Sequence, residues 1–248
     1  MNQSSKYLSD YHKFCDTLFK SHWFDEYHPD LHCAILDNCH KLDVLHCING
    51  FCGEVLELVE QEEKMEDAET PEEYQHLYNE ACQEVGDLLF YMTQLQTLLR
   101  IHCGQSLSIS RHAGWGSIVQ ESLSAVEVKV LIPKLLGISE WPELNQSFDV
   151  SFSWFATKFV EQILNLTKKR IHYRHEVDFN DIFARMNLII NGARQTFLRD
   201  FCVESDDQRV LTLDQFRQLN IQKLKKRHPT GKFTPEAAEA KVDQNPTN

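Results

Sequence analysis

Glycine and proline are scarce in this chain. Nine glycines and seven prolines are spread over 248 residues. That is too little punctuation for the many short strands and turns of a sandwich or barrel. No apolar run approaches the ~18 residues that a membrane-spanning helix needs. Bases are the minority charge, with 25 Lys and Arg against 37 Asp and Glu, for a formal net charge of -12. This excludes a general nucleic-acid binder, which would carry a basic face, and disfavours anionic membrane surfaces. The opening MNQSSKYLSD has neither the basic nor the apolar region of a secretory leader. The expectation is a soluble cytoplasmic protein with no nucleic-acid and no membrane partner. Apolar residues are plentiful enough to exclude wholesale disorder, and the length allows one large domain or two small ones.

Eight cysteines are present, but no Cys-x-x-Cys. His32-Cys33, Cys39-His40 and His46-Cys47 recur at seven-residue intervals. Two helical turns between pairs is too far for a zinc site, whose helical ligands sit three or four residues apart. The cysteines therefore read as buried thiols, acting as small hydrophobes.

The acidity is local. Residues 51–90 hold thirteen acids and one base, Lys64, an excess equal to that of the whole chain. The basic pole is residues 221–232, with Lys223, Lys225, Lys226, Arg227 and Lys232 and no acid. Such a run is either a solvated helix face or a phosphate contact.

The apolar periodicity is helical nearly throughout and predicts an all-α helical bundle. Tyr7, Tyr11, Phe14 and Leu18 mark a first amphipathic segment over 5–20, and Pro29 interrupts the helical pattern beyond it. One helix is predicted near 31–40 and a longer one over 43–65. Thr70-Pro71-Glu72-Glu73 reads as N-cap, N1 proline and capping-box glutamate. It opens a helix to about 102, which Gly104 ends. Further helices are predicted over 117–136, 150–172 and 178–200, and from Thr212 to about 228. The polar tail begins near 234.

Two motifs carry chemistry. Gly53-Glu54-Val55-Leu56-Glu57 contains an E-x-x-E, and Glu84-Val85-Gly86-Asp87 an E-x-x-D. Residues i and i+3 project from one helix face. If the two helices form an antiparallel hairpin, four carboxylates converge. Such a cluster makes sense around a hard cation, Mg²⁺ or Mn²⁺, that prefers oxygen ligands. The absence of histidine at i+3 separates it from a di-iron bundle. The other acids, Glu60, Glu62, Glu63, Glu66, Glu69, Glu72 and Glu73, read as solvated surface.

These residues resemble the MazG-like all-α NTP pyrophosphatase superfamily. Residues 49–60 are similar to its G-x-x-G-E-x-x-E helix and residues 83–92 to its E-E-x-G-D-x-L-x-Y-L helix. Asn220 to Pro229 is similar to a closing N-x-x-K-L-x-x-R-Y-P segment, continued by Gly231, Phe233, Glu236 and Lys241. The resemblance implies Mg²⁺-dependent hydrolysis of a nucleoside triphosphate to monophosphate and pyrophosphate, in nucleotide-pool control. It implies Mg²⁺ held by Glu54, Glu57, Glu84 and Asp87, with Glu54 or Glu57 also accepting the proton of water. Lys223 and Arg227, i and i+4 on one face, would clamp phosphate, and Asn220 would bond sugar or phosphate. Tyr91 reads either as a flank for the base or as a core aromatic. The alternative is a non-catalytic interaction or nucleotide-sensing protein that retains the fold.

The chain departs from this pattern in one large respect. More than a hundred residues separate the E-x-x-D from Asn220. His228 also replaces a common Tyr, and Leu56 a small residue. The organisation expected is 1–104 for the metal-site helices, 105–210 for an inserted segment, 211–233 for the phosphate helix and 234–248 for the tail. The inserted segment is either a helical insertion or a degenerate second copy. In the second case Phe155 to Glu161 lies on Phe51 to Glu57, and Asp178 to Phe183 on Glu84 to Leu89. The chain would then be an intrachain pseudo-dimer rather than a homodimer.

Overall fold

A computed structural model describes residues 32–103, 125–137, 151–173, 175, 177–198 and 211–229. Six α-helices and no strand occur among the described residues: α1 (His32–Glu66), α2 (Pro71–Cys103), α3 (Ala125–Leu136), α4 (Phe152–Ile171), α5 (Phe179–Gly192) and α6 (Leu213–Arg227). A short π-helical stretch, Ala193–Phe197, continues directly from α5. None of the described helices is long and apolar enough to cross a membrane. The expected segment over 5–20, the Gly104 terminator and the tail lie outside the described residues.

α1 and α2 form a long antiparallel hairpin. The two helices expected over 31–40 and 43–65 are one continuous helix, because nothing between them breaks the backbone ladder. Val44, Cys47, Ile48, Phe51, Val55 and Leu58 lie on the buried side of α1. Val85, Leu88, Leu89, Met92 and Leu95 do the same on α2. Cys47, Cys52 and Cys82 are buried thiols in the apolar core, as expected of small hydrophobes.

The turn into α2 is capped with one change of partner. Thr70 Oγ1 accepts from the Glu73 N–H at 3.2 Å, but the Glu73 carboxylate reaches back to Glu69 N–H rather than to Thr70. At α6 the box closes on its own N-cap. Thr212 N–H donates to Gln215 Oε1 at 2.8 Å, and Gln215 N–H to Thr212 Oγ1 at 3.3 Å.

The described helices between α2 and α6 share the core of the hairpin. α4 packs on α1, α5 packs on α4 and also touches α2, and α6 packs on α2. Phe155, Phe159 and Phe183 are buried in the same apolar cluster as Phe51 and Leu88. One polar tie orients α4 on α1. Glu62, expected at the solvated surface, is buried. Its two carboxylate oxygens accept from Phe152 N–H at 3.2 Å and Ser153 N–H at 2.8 Å. A carboxylate from one helix thus satisfies the orphan donors of another and complements its N-terminal dipole.

The residues laid on the acidic motifs by the repeat comparison do not form a second cluster. Lys158 and Glu161 pair with each other on the exposed side of α4 at 3.5 Å. Asp178 is the N-cap of α5, and Asp181 lies in its first turn. These residues therefore offer no second set of converging carboxylates.

Glu62→Ala is expected to destabilise the fold by about 2 kcal/mol, because two buried N–H groups lose their acceptor. Urea unfolding followed by helical CD measures this. A midpoint equal to wild type would mean that Glu62 does not hold α4.

Candidate metal and phosphate site

The site starts from helix register. Glu54 projects from α1, and Glu84 and Asp87 project from one face of α2. The hairpin brings a carboxylate oxygen of each within 4.8 Å of the others. It is the only such group of three among the described residues. Glu57, one turn along α1, lies outside this group and is exposed. Its charge still reaches Glu54 and Glu84.

α6 closes the other side. Its inward face begins apolar, with Leu213 and Phe216, and then turns polar with Asn220 and Lys223, both buried. Asn220 Nδ2 donates to Asp87 Oδ1. Lys223 Nζ donates to Asp87 Oδ2 at 2.6 Å and lies 3.6 Å from Glu84 Oε1. Arg227 stands one turn beyond Lys223, near enough for its charge to act on both Tyr91 and Lys223.

Gly86 makes this approach possible. A β-carbon there would lie 2.9 Å from Asn220 Cβ and 3.0 Å from the Phe216 carbonyl oxygen. Only a bare backbone lets α6 come close enough for Asn220 and Lys223 to reach Asp87. Gly50 acts in the same way on the opposite flank, where a β-carbon would fall within the Tyr91 ring. The Tyr91 ring is partly buried and meets His46 edge-on, with centroids 6.0 Å apart.

The electrostatics derive from burial. Desolvation, and then the charge of Asp87 and a hydrogen bond to Glu84, push the Glu54 carboxyl up to about 10. Burial also raises Glu84; Lys223 pulls it back, and the balance is a value of about 7. Burial pulls the Lys223 ammonium down, but Asp87 and Glu84 more than reverse this, so it stays charged. Burial and the charges of Glu54 and Asp87 push the Tyr91 phenol up, so it remains a neutral donor. One lysine thus faces two buried carboxylates, Glu84 and Asp87, and the half-buried Glu54 beside them. The deficit of positive charge and the all-oxygen donor set fit a hard divalent cation. Zinc and copper sites prefer nitrogen and sulfur donors instead.

Of the residues expected at the site, the structure brings together Glu54, Glu84, Asp87, Asn220 and Lys223. Tyr91 and Arg227 lie beside them, and Glu57 lies outside the carboxylate trio. Sequence reading left two positioning features unassigned. Gly86 is conspicuous only once a third helix is known to cross it. The buried Glu62 carries no local mark that separates it from its solvated neighbours. The chain matches no protein-family model, no curated protein and no solved structure.

The raised carboxyls set a pH dependence for the cation-free protein. Their folded values stand above the ordinary 4.5, so the fold holds protons that the unfolded chain releases. Their stabilising contribution is complete below about 4.5 and is lost as pH rises, through about 7 for Glu84 and towards about 10 for Glu54. With chelator present, the Tm of wild type is expected to rise as pH falls from 8 to 6, by on the order of 1 kcal/mol of stability per pH unit. Glu54→Gln should flatten that slope and raise Tm at pH 8. Millimolar Mg²⁺ should raise the wild-type Tm at pH 8 but not that of the variant. Identical slopes, with no response to Mg²⁺ in either protein, would remove the cation site.

Proposed function

We propose that this chain is a MazG-like nucleoside triphosphate pyrophosphohydrolase, which hydrolyses an NTP or dNTP to the monophosphate and pyrophosphate. One observation carries the reading. A carboxylate trio on a helical hairpin, two of its members buried and one half-buried, faces a buried lysine and asparagine from a helix more than a hundred residues downstream. A purely structural bundle has no use for this arrangement, because like charges buried together destabilise it.

In this reading Glu54, Glu84 and Asp87 hold Mg²⁺, with Mn²⁺ as a substitute. The cation, when bound, supplies neutralisation of the triphosphate and a lower pKa for the attacking water. Asn220 fixes the Asp87 carboxylate through Oδ1 and so keeps its orientation when substrate arrives. Lys223, with three donors on a flexible stem, turns from Asp87 to a phosphate oxygen as the polyanion enters. Arg227 engages a second phosphate through its planar fork. Glu57, exposed beside Glu54, accepts the proton of the water. The water oxygen bonds to the α-phosphorus, the bridging P–O bond to the β-phosphate breaks, and pyrophosphate leaves with the electron pair. Tyr91 stands on the side of the acids where the nucleoside extends.

The acidic balance of the chain does not oppose an anionic substrate. Most of the excess lies on exposed positions of the hairpin, including Glu60, Glu63, Glu66, Glu69, Glu72 and Glu73. The groups that meet the phosphates include Lys223 and Arg227.

Purified protein with Mg²⁺ and a panel of NTPs and dNTPs should release pyrophosphate and the matching monophosphate. Glu54→Gln and Asp87→Asn are expected to lower kcat at least ~100-fold with helical CD unchanged. Lys223→Met should chiefly raise KM. Full turnover in both carboxylate variants would refute the assignment, and binding without release would make the chain a nucleotide sensor.

A further inference from the structure

Among the buried polar side chains of α2 that the mechanism above leaves unused are Thr93, Gln94 and Gln96, and Gln94 shares the heading of Asp87. Gln94 is 1% exposed, and its Nε2 is buried without a hydrogen-bond partner. A buried amide donor left unsatisfied costs about 1–3 kcal/mol. The expense is understandable if a ligand supplies the missing acceptor.

Its register points into the site. Gln94 comes seven residues after Asp87, about 700° of helix, so the two share a heading to within about 20° and stand about 10.5 Å apart along the axis. That heading falls between two neighbours: α1, which meets α2 at Gly50 and Tyr91, and α6, which meets it at Gly86. On the antiparallel α1, Cys47 precedes Glu54 by the same seven residues, so Cys47 and Gln94 occupy one level. The site is therefore layered. The acids come first, then the Tyr91 ring on Gly50 with His46 at its edge, then Cys47 and Gln94. A nucleotide with its phosphates at the acids would run along these layers, with its ring system near the aromatic layer and its far edge near Gln94. An apolar surround with one polar handle is how small-ligand sites fix orientation. Gln61 also has an unpartnered buried oxygen, but it lies beyond Glu54 towards the turn, on the opposite side of the acids.

We propose that Gln94 is the base-reading residue of this site, its Nε2 donating to a ring carbonyl, so that the substrate class is a nucleotide whose base carries an oxo group at that edge. The proposal rests on the pyrophosphohydrolase reading for the direction of the nucleotide. Uracil, thymine and guanine offer such an oxygen at the edge away from the sugar, whereas cytosine presents an amino group there. Adenine offers none, and its amino group would face the amide donor.

The test measures two things on the full chain with Mg²⁺. One is kcat/KM for ATP, ITP, GTP, CTP and UTP, and the other is calorimetric binding of their non-hydrolysable α,β-imido analogues. Wild type is expected to prefer the oxo-bearing bases, with ITP above ATP by about 10- to 100-fold. Gln94→Met keeps the side-chain volume and removes the donor. It should bring the ITP/ATP ratio to within about 3-fold of unity while leaving Tm equal or higher, as expected when an unsatisfied donor is removed. Should that variant fail to fold, Gln94→Asn, which withdraws the amide by one methylene, should shrink the same ratio. A ratio unchanged in the folded variant, or ATP preferred by wild type, overturns the assignment of Gln94 while leaving hydrolysis intact. Base-selective binding that Gln94→Met erases, without pyrophosphate release, supports Gln94 and overturns hydrolysis. No binding of any nucleotide overturns both.

Discussion

Three carboxylates share one buried space with a single lysine, and much of the site's surroundings answers to that fact. Glu54, Glu84 and Asp87 would repel one another strongly if all were ionised in a low-dielectric interior. The cation-free fold relieves this in two ways. Glu54 keeps its proton and bonds to Glu84, and Lys223 lies against Asp87 and Glu84. Lys223 thus occupies the role of a cation while belonging to the chain. The same electrostatic deficit explains why a helix from the far end of the sequence packs here. α6 brings Asn220 and Lys223 to a place where an apolar face would leave Asp87 buried without a partner.

Close packing gives that arrangement its precision. Gly86 removes the one β-carbon that would hold α6 away from α2, and Gly50 does the same for the Tyr91 ring. These two glycines are therefore spacers for particular neighbours. Gly53 is different. A β-carbon there would meet nothing within 4 Å, and no physical reason for that glycine emerges from its surroundings. Glu62 fixes α4 against α1 in the same spirit, by one carboxylate bridging two helices. α4 is thereby tied to the α1–α2 hairpin by a directed polar contact as well as by its aromatic core.

Local signals were legible in the sequence, and long-range pairings were less so. The caps at Thr70 and Thr212, the helical periodicity and the i, i+3 carboxylates act within a few residues, and each is written in adjacent positions. Two helices expected over 31–65 merged into one because periodicity alone does not distinguish a pause from a break. Glu62 was misread for a deeper reason. A glutamate among glutamates on a helix looks solvated until another helix N-terminus is brought against it, and the sequence holds no mark of that partner. Glu57 is the converse case. It shares its motif with Glu54, yet the hairpin turns one inward and leaves the other exposed, since an i, i+3 pair spans about 60° of helix circumference.

That same angular spread bears on how the site divides its labour. Glu54 is poorly placed to accept a proton from water and pass it on, because desolvation and the neighbouring carboxylates have already lifted its proton affinity far above neutral pH. Glu57, one turn away, is exposed to solvent, which suits the proton-accepting role proposed for it. In the proposed reaction, separation of the two glutamates of one motif by depth, rather than by sequence, would let identical side chains take different roles. Gln94 extends this logic along α2. Asp87, Tyr91 and Gln94 descend one face at intervals of four and three residues, presenting in turn a charge, a ring and an amide. The chemical order of a nucleotide, from phosphate to sugar and base to base edge, matches that descent.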